Sequence, residues 1–460
     1  MTTFAERTSA TVDLQMTKGR WIHNWQPDDE IFWQRVGRRV ATRNLVFSIF
    51  AEHLGFSVWL LWSIVVVSLP LAGFEFSTDQ LFWLVALPNL IGSTLRIPYT
   101  FAVPAFGGRN WTVVSALLLL IPTVLLAVAV SNPDTPFWMF LIIAATAGVG
   151  GGNFASSMTN ISFFFPERSK GLGLGLNAAG GNLGTSTVQF GVPLVIAIGG
   201  GLSLANAGLM WVPLILAAAI CAWLWMDNLT VSKAPIKGQL AACKRSHTWV
   251  MSFLYIGTFG SFIGYSAAYP LIATTEFANS PAVRYAFVGA MLGSLIRPVG
   301  GWLSDKLGGA RVTLWTFIAM AAGALLLLYA VDVHSSALFM AAFAILFAAS
   351  GVGNGSTYRM IPAIFRAQGE REEKTGVRNA VKNTLTEAGA AIGIISSIGA
   401  FGGFLIARAY GSSYASTGSF ATAILAYAVF YAVCGAVTWW FYLRRQFLVA
   451  RMPSLAEASV

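Results

Sequence analysis

Two arginines stand deep inside hydrophobic stretches, Arg96 in LPNLIGSTLRIPYTF and Arg297 in VGAMLGSLIRPVGGW. A guanidinium keeps its proton, so in a bilayer each would cost about 2.5 to 3.5 kcal/mol to insert. That cost calls for a negative partner. In one reading the partner is a carboxylate of the chain itself, making two structural salt bridges. Only Glu52 and Glu387 lie within apolar stretches, however, and both are expected in the first turns of their helices, away from the level of the arginines. In the other reading the partner is a bound anion, which at about 4 Å gains on the order of 4 kcal/mol per arginine at an effective dielectric of 20. A planar or bent oxyanion offers acceptor oxygens in one plane for guanidinium forks and flat faces for aromatic rings.

Further candidates surround this pair. Phe154 follows Asn153 in GVGGGNFASSM, and Tyr255 and Phe259 lie one turn apart in a later stretch. Such rings either pack in the core and against lipid or, beside small residues, line a cavity. Asn177 and Asn182, in GLGLGLNAAGGNLG, either donate amide hydrogens to an oxyanion or bond between helices. The glycines of these runs, of GVGNGS and of GAAIGIISSIGAFGG permit close helix packing, and a hinge or gliding surface needs the same residues. Glu52 and His53 are either a proton-coupling pair or a near-interface pair bonded to neighbouring helices. Asp305, Lys306 and Arg311, in GGWLSDKLGGARVT, have the arrangement of a charge lock between helix ends, whereas Arg359 reaches an interface by snorkelling. Cys221, Cys243 and Cys434 have no metal-site or disulfide spacing, and no Ser/His/Asp or phosphate-loop constellation stands out. Neither a metal, a cofactor nor an enzyme activity is expected.

The elements that must position these residues are membrane helices. Apolar residues make up 56% of the 460 and charged residues only 10%, with a mean hydropathy of +0.66, whereas a soluble chain has roughly 25% charged residues. The runs are continuously apolar, which excludes a membrane barrel of short alternating strands. Spans are expected at 45–71, 80–105, 111–130, 136–164, 171–199, 204–226, 248–275, 283–303, 312–331, 336–364, 383–406 and 418–443. The fold class is therefore all-α, a polytopic membrane protein of twelve transmembrane helices in two six-helix bundles. The expected organisation is an amino-terminal segment 1–44 that ends in a surface helix and holds no cleavable signal, a first bundle 45–226, a linker 227–247, a second bundle 248–443 and a tail 444–460.

All but Arg96, Arg284, Arg297, Arg359 and Arg408 of the 29 lysines and arginines fall on the side shared by both termini, which the positive-inside rule makes cytoplasmic. The net charge of +10 thus belongs to one membrane face, and a nucleic-acid partner is not expected. The bilayer is the partner, and a monomer is the working expectation. The halves also repeat each other. Aligning Arg96 on Arg297 places Gly107 and Gly108 on Gly308 and Gly309, and Thr112 on Thr313; Phe50, Gly55 and Ser57 pair at one offset with Phe259, Gly264 and Ser266. Parallel repeats put a substrate site between them near the midplane.

The segment GGWLSDKLGGARVT resembles the signature loop of the major facilitator superfamily. Gly148 to Gly184, GVGGGNFASSMTNISFFFPERSKGLGLGLNAAGGNLG, and Ala390 to Gly403, AAIGIISSIGAFGG, resemble the two signatures of its nitrate/nitrite porter (NarK-type) family. The resemblance implies that Arg96 and Arg297 clasp nitrate or nitrite from the two halves, that Phe154 and Phe259 stack on its faces, and that Tyr255 and Asn182 add hydrogen bonds. It also implies transport across the cytoplasmic membrane without a prosthetic group, in nitrate uptake and assimilation. Because the deep site is expected to offer only arginines, nitrate/nitrite exchange is favoured over proton symport, with Glu52 and His53 as the symport alternative. Other small anions such as an organic phosphate, an anion channel and a membrane anion sensor remain as rivals.

Overall fold

The computed structural model describes residues 14–198, 202–233, 240–278, 280–444 and 455. Residues 1–13 of the amino-terminal segment, 234–239 of the expected linker, and the expected tail apart from Arg444 and Leu455 lie outside the described residues.

Among the described residues, twelve long helices follow in chain order: α1 Glu30–Ser68, α2 Thr78–Phe106, α3 Gly108–Val130, α4 Phe137–Phe164, α5 Glu167–Ile196, α6 Asn206–Trp225, α7 Ser246–Glu276, α8 Pro281–Leu307, α9 Gly309–Asp332, α10 Ser336–Lys374, α11 Ala380–Thr417 and α12 Ala421–Leu443. All but α5 are apolar enough to cross a membrane on composition alone. The glycines, Asn177, Asn182 and Gln189 dilute the hydropathy of α5, yet its 30 residues reach about 45 Å. It packs on α1 within its own half and on α8 of the other.

Several helices outrun their apolar runs, because a helix continues into water after the hydrocarbon ends. The difference matters most in α1. Its apolar run begins near 45, but Asp29 caps the helix by accepting from the Phe32 amide, and the chain stays helical from Glu30 with one wide turn at Trp33–Gly37. The separate surface helix expected before residue 45 is instead the first part of α1. Ser77 and Gln80 close a reciprocal capping box at the start of α2, fixing the register of the helix that carries Arg96.

The repeat is present in the backbone. Gly107 (φ 88°, ψ 147°) and Gly308 (φ 88°, ψ 132°) make the same left-handed link, α2 to α3 and α8 to α9, a conformation that suits residues without a Cβ. A Cβ at Gly151 would collide with Trp59 and Gly92, and one at Gly351 with the Gly293 carbonyl, so these glycines bring α2 against α4 and α8 against α10.

Two seams join the halves, α2 with α11 and α5 with α8, and α7 also meets α1. At the end where α2 begins, Arg408 of α11 forms an ion pair with Asp79 of α2 at 3.0 Å, Phe82 meets Phe420, Phe190 meets Phe287 at 5.0 Å, and Gln189 Nε2 donates to the Ser266 carbonyl at 2.6 Å. At the opposite, basic end the ion pairs among the described residues stay within one half: Arg245 with Glu372 and Glu387, Asp305 with Arg359, and Arg168 with Glu30.

The amino-terminal segment adds a small sheet that the sequence reading did not anticipate. Strands β1 (Met16–Thr17), β2 (Trp21–Ile22) and β3 (Asn228–Leu229) lie in the order β1-β2-β3, antiparallel and then parallel. Buried Asp227 ties it down through Arg20 at 2.7 Å, Arg43 at 2.5 Å and the Asn44 amide at 2.9 Å.

Candidate functional site

Arg96 and Arg297 lie at one depth. Each stands ten residues before its helix ends, at Phe106 and Leu307, or about 15 Å along the axis. Arg96 is fully buried. Its Nε donates to the Gly151 carbonyl at 3.1 Å and its Nη1 to the Ser396 carbonyl of α11 at 2.9 Å, while Nη2 has no hydrogen-bond partner. Three rings surround its guanidinium carbon, Phe154 at 4.6 Å, Phe259 at 4.8 Å and Trp59 at 5.2 Å. Arg297 is 5% exposed, faces Tyr358 at 5.4 Å and Phe154 at 5.9 Å, and leaves Nη1 unpartnered. Neither arginine makes an ion pair among the described residues, and each has one guanidinium nitrogen without a hydrogen-bond partner.

The rings expected to sandwich a planar anion are stacked on one another instead. Phe154 and Phe259 have centroids 5.8 Å apart and planes inclined by 27°, less than the roughly 7 Å that two ring-to-anion contacts of about 3.5 Å require. Tyr255 stacks on Phe259 at 5.3 Å, and its hydroxyl donates to Asn354 Oδ1 at 2.8 Å. Asn182 is 1% exposed with neither amide atom paired, a buried polar group open to a partner.

Asn177 is placed differently from its reading as an oxyanion donor: its amide donates to Glu52 Oε2 at 2.6 Å and to Ser157 Oγ at 2.6 Å. Glu52 itself is a correction. Because α1 starts at Glu30, this residue is not in a first turn; it stands about 33 Å along the helix from Glu30. Arg297 and Arg96 are its charged neighbours, and the expected separation from them does not hold. His53 points elsewhere, its Nδ1 3.0 Å from the Gly180 carbonyl. In the signature loop, Asp305 reaches Arg359 of α10 at 2.5 Å and Lys306 lies over Trp302 at 4.2 Å, both contacts within one half, and Arg311 makes no ion pair among the described residues. Among the described residues the charge pair that spans the halves is Arg408–Asp79.

Trp59, Tyr358, Asn354 and Ser396 complete the surroundings without having been singled out from sequence. Tyr358 adjoins GVGNGS and so carried a signal, whereas nothing in its own apolar helix marks Trp59.

Twelve helices in two related halves around a buried charged midplane define a secondary transporter of the major facilitator class. The pattern of the Major Facilitator Superfamily matches residues 53–384. A solved D-xylose-proton symporter shares the fold with a TM-score of 0.65 at 17% identity, over 87% of this chain and 97% of that one. The chain is 45% identical over 452 residues to the nitrate/nitrite transporter NarU of Escherichia coli (strain K12), covering 93% of this chain and 97% of the relative. It is 38% identical over 458 residues to a probable nitrate/nitrite antiporter NarK2 of Thermus thermophilus, covering 94% and 98%. The chain belongs to the nitrate/nitrite porter (NarK-type) family of the Major Facilitator Superfamily.

Proposed function

We propose that this protein moves nitrate and nitrite across the cytoplasmic membrane by rocking two bundles, 45–226 and 248–443, about one anion site between Arg96 and Arg297, and that it exchanges one anion for the other when both are present. The observation that carries the reading is two buried guanidiniums from equivalent helices of the two halves, without carboxylate ion pairs and each with an unbonded nitrogen. The names of the relatives agree with it. Phe154 and Phe259 select for flatness once they part around the anion, while Tyr255 and Asn182 supply polar contacts. The excess of lysine and arginine at one end supports a cytoplasmic position for both termini, the 227–247 linker and the 444–460 tail. Cross-half contacts close the end where α2 begins, and Arg96 below them is fully buried.

Nitrite-loaded proteoliposomes test this reading. Labelled nitrate should enter faster when the lumen holds nitrite or nitrate, and unlabelled nitrate should compete better than phosphate, sulfate or chloride. Preferential competition by an organic phosphate would replace the substrate assignment, and flux indifferent to the opposing anion would indicate a channel.

A further inference from the structure

Glu52 is 1% exposed, and among the described residues it has no ion pair within 4 Å. Its Oε2 accepts from two neutral donors, Ser157 of α4 and Asn177 of α5, while Oε1 has no hydrogen-bond partner. An unpaired buried carboxylate is expensive, and an oxygen without a partner is where a proton can sit. The other charged or titratable groups around it are Arg96 from α2, Arg297 from α8 and Tyr358 from α10, with His53 beside it on α1 but turned to Gly180. The carboxyl therefore answers to two opposed influences: burial opposes its charge, and the arginines oppose its neutrality.

Those arginines are also the proposed anion ligands, and this makes Glu52 sensitive to whether the site is filled. With no anion bound, one carboxylate partly balances two guanidiniums. A bound anion adds a second negative charge to the same pair, and one proton taken from water onto Oε1 restores the former sum. We infer that Glu52 is the proton-carrying group of the anion site, so that when no exchange anion waits on the far side the protein moves one proton with each nitrate. The proton joins Glu52 from water on the side of anion entry and returns to water where the anion leaves; no covalent bond other than O–H forms or breaks. The inference rests on the nitrate reading above and adds a second substrate to that site without excluding exchange.

The test uses the full chain in liposomes with the membrane potential clamped, an anion-free lumen and acid outside. Wild type should accumulate labelled nitrate at least fivefold over the equal-pH control. Glu52→Gln should lose that gain yet keep nitrate/nitrite counterflow, whereas Glu52→Asp and His53→Gln should keep both. In detergent, wild-type nitrate affinity should tighten on acidification; that of Glu52→Gln should be independent of pH and, with the competing carboxylate gone, at least as tight as wild type at neutral pH. Acid-driven accumulation or pH-dependent affinity persisting in Glu52→Gln would overturn the inference, as would a wild type that exchanges but ignores the gradient. A Glu52→Gln variant that binds nitrate but has lost counterflow would overturn it too, showing Glu52 to be needed for the structural transition itself. A wild type without counterflow or uptake would instead remove the nitrate reading.

Discussion

Arg96 and Arg297 occupy equivalent places in the two halves but are held in different ways. Arg96 spends two of its nitrogens on backbone carbonyls, one of them Ser396 across the seam on α11, and sits among three rings. Arg297 faces two rings at longer range and keeps Nη1 unbonded. The repeat thus conserves a charge and its depth while dividing its duties. Arg96 joins the halves and leaves one nitrogen unbonded; among the described residues Arg297 makes no hydrogen bond across the seam and leaves one nitrogen unbonded as well.

The largest effect should come from replacing each arginine by lysine, which keeps the charge but loses the planar fork. Both Arg96→Lys and Arg297→Lys should weaken nitrate binding by about 50- to 100-fold, the loss of a charge-assisted contact of about 2 to 3 kcal/mol. Thermal unfolding separates them: Arg96→Lys should melt several degrees lower, because Gly151 and Ser396 lose their donor, whereas Arg297→Lys should melt as wild type. Equal melting temperatures would end the division of duties, and normal nitrate binding by both variants would end the site.

A smaller change should follow loss of the rings. Phe259→Ala removes a cation-π contact from Arg96 alone, while Phe154→Ala removes one from each arginine, each contact worth about 1 kcal/mol or more when desolvated. Both variants should lower discrimination between nitrate and chloride or sulfate by about fivefold to tenfold, with Phe154→Ala the more severe and expression little altered. Competition curves at equal protein load measure this; unchanged selectivity would make the rings ordinary packing.

How far these parts could be read beforehand depends on what kind of signal marks them. An arginine in an apolar run is conspicuous because its cost is local, and Gly107 and Gly308 announce the repeat because a left-handed link restricts the residue types that fit. Glu52 was misplaced because hydropathy marks where the apolar run starts, but neither where the helix starts, which Asp29 sets fifteen residues earlier, nor which neighbouring helices bring Arg96 and Arg297 beside it. The β2–β3 pairing, the Ser396 acceptor and the Arg408–Asp79 bridge join residues remote in sequence, and no pattern within either partner encodes the match. Asn177 had the right type and the right helix, but which way it turned depended on Glu52 already being there.

The smallest effect concerns the seams that carry the two arginines. The α2–α11 seam of Arg96 is pinned at its far end by Arg408, which bonds Asp79 and lies 4.0 Å over Trp83, whereas the α5–α8 seam of Arg297 has a ring contact there, Phe190 on Phe287, and no ion pair among the described residues. If this pin is part of what holds Arg96 still, Asp79→Asn should make the two sides more alike by letting the α2–α11 seam part more often. Arg408 is only 16% exposed and Asp79 34%, so the ion pair lies between a surface pair and a buried one; the expected shift is about 1 kcal/mol, or roughly fivefold in the population open at that end. A cysteine in place of Ala86, buried on α2 between Phe82 and Asn89, reports on it once Cys221, Cys243 and Cys434 are replaced by serine. Thiol labelling from the face opposite the termini should rise about fivefold with Asp79→Asn and fall back when saturating substrate stabilises the occluded state. Labelling that ignores Asp79→Asn would show that the apolar contacts alone keep this end shut, and the firmness of Arg96 would then rest on Gly151 and Ser396.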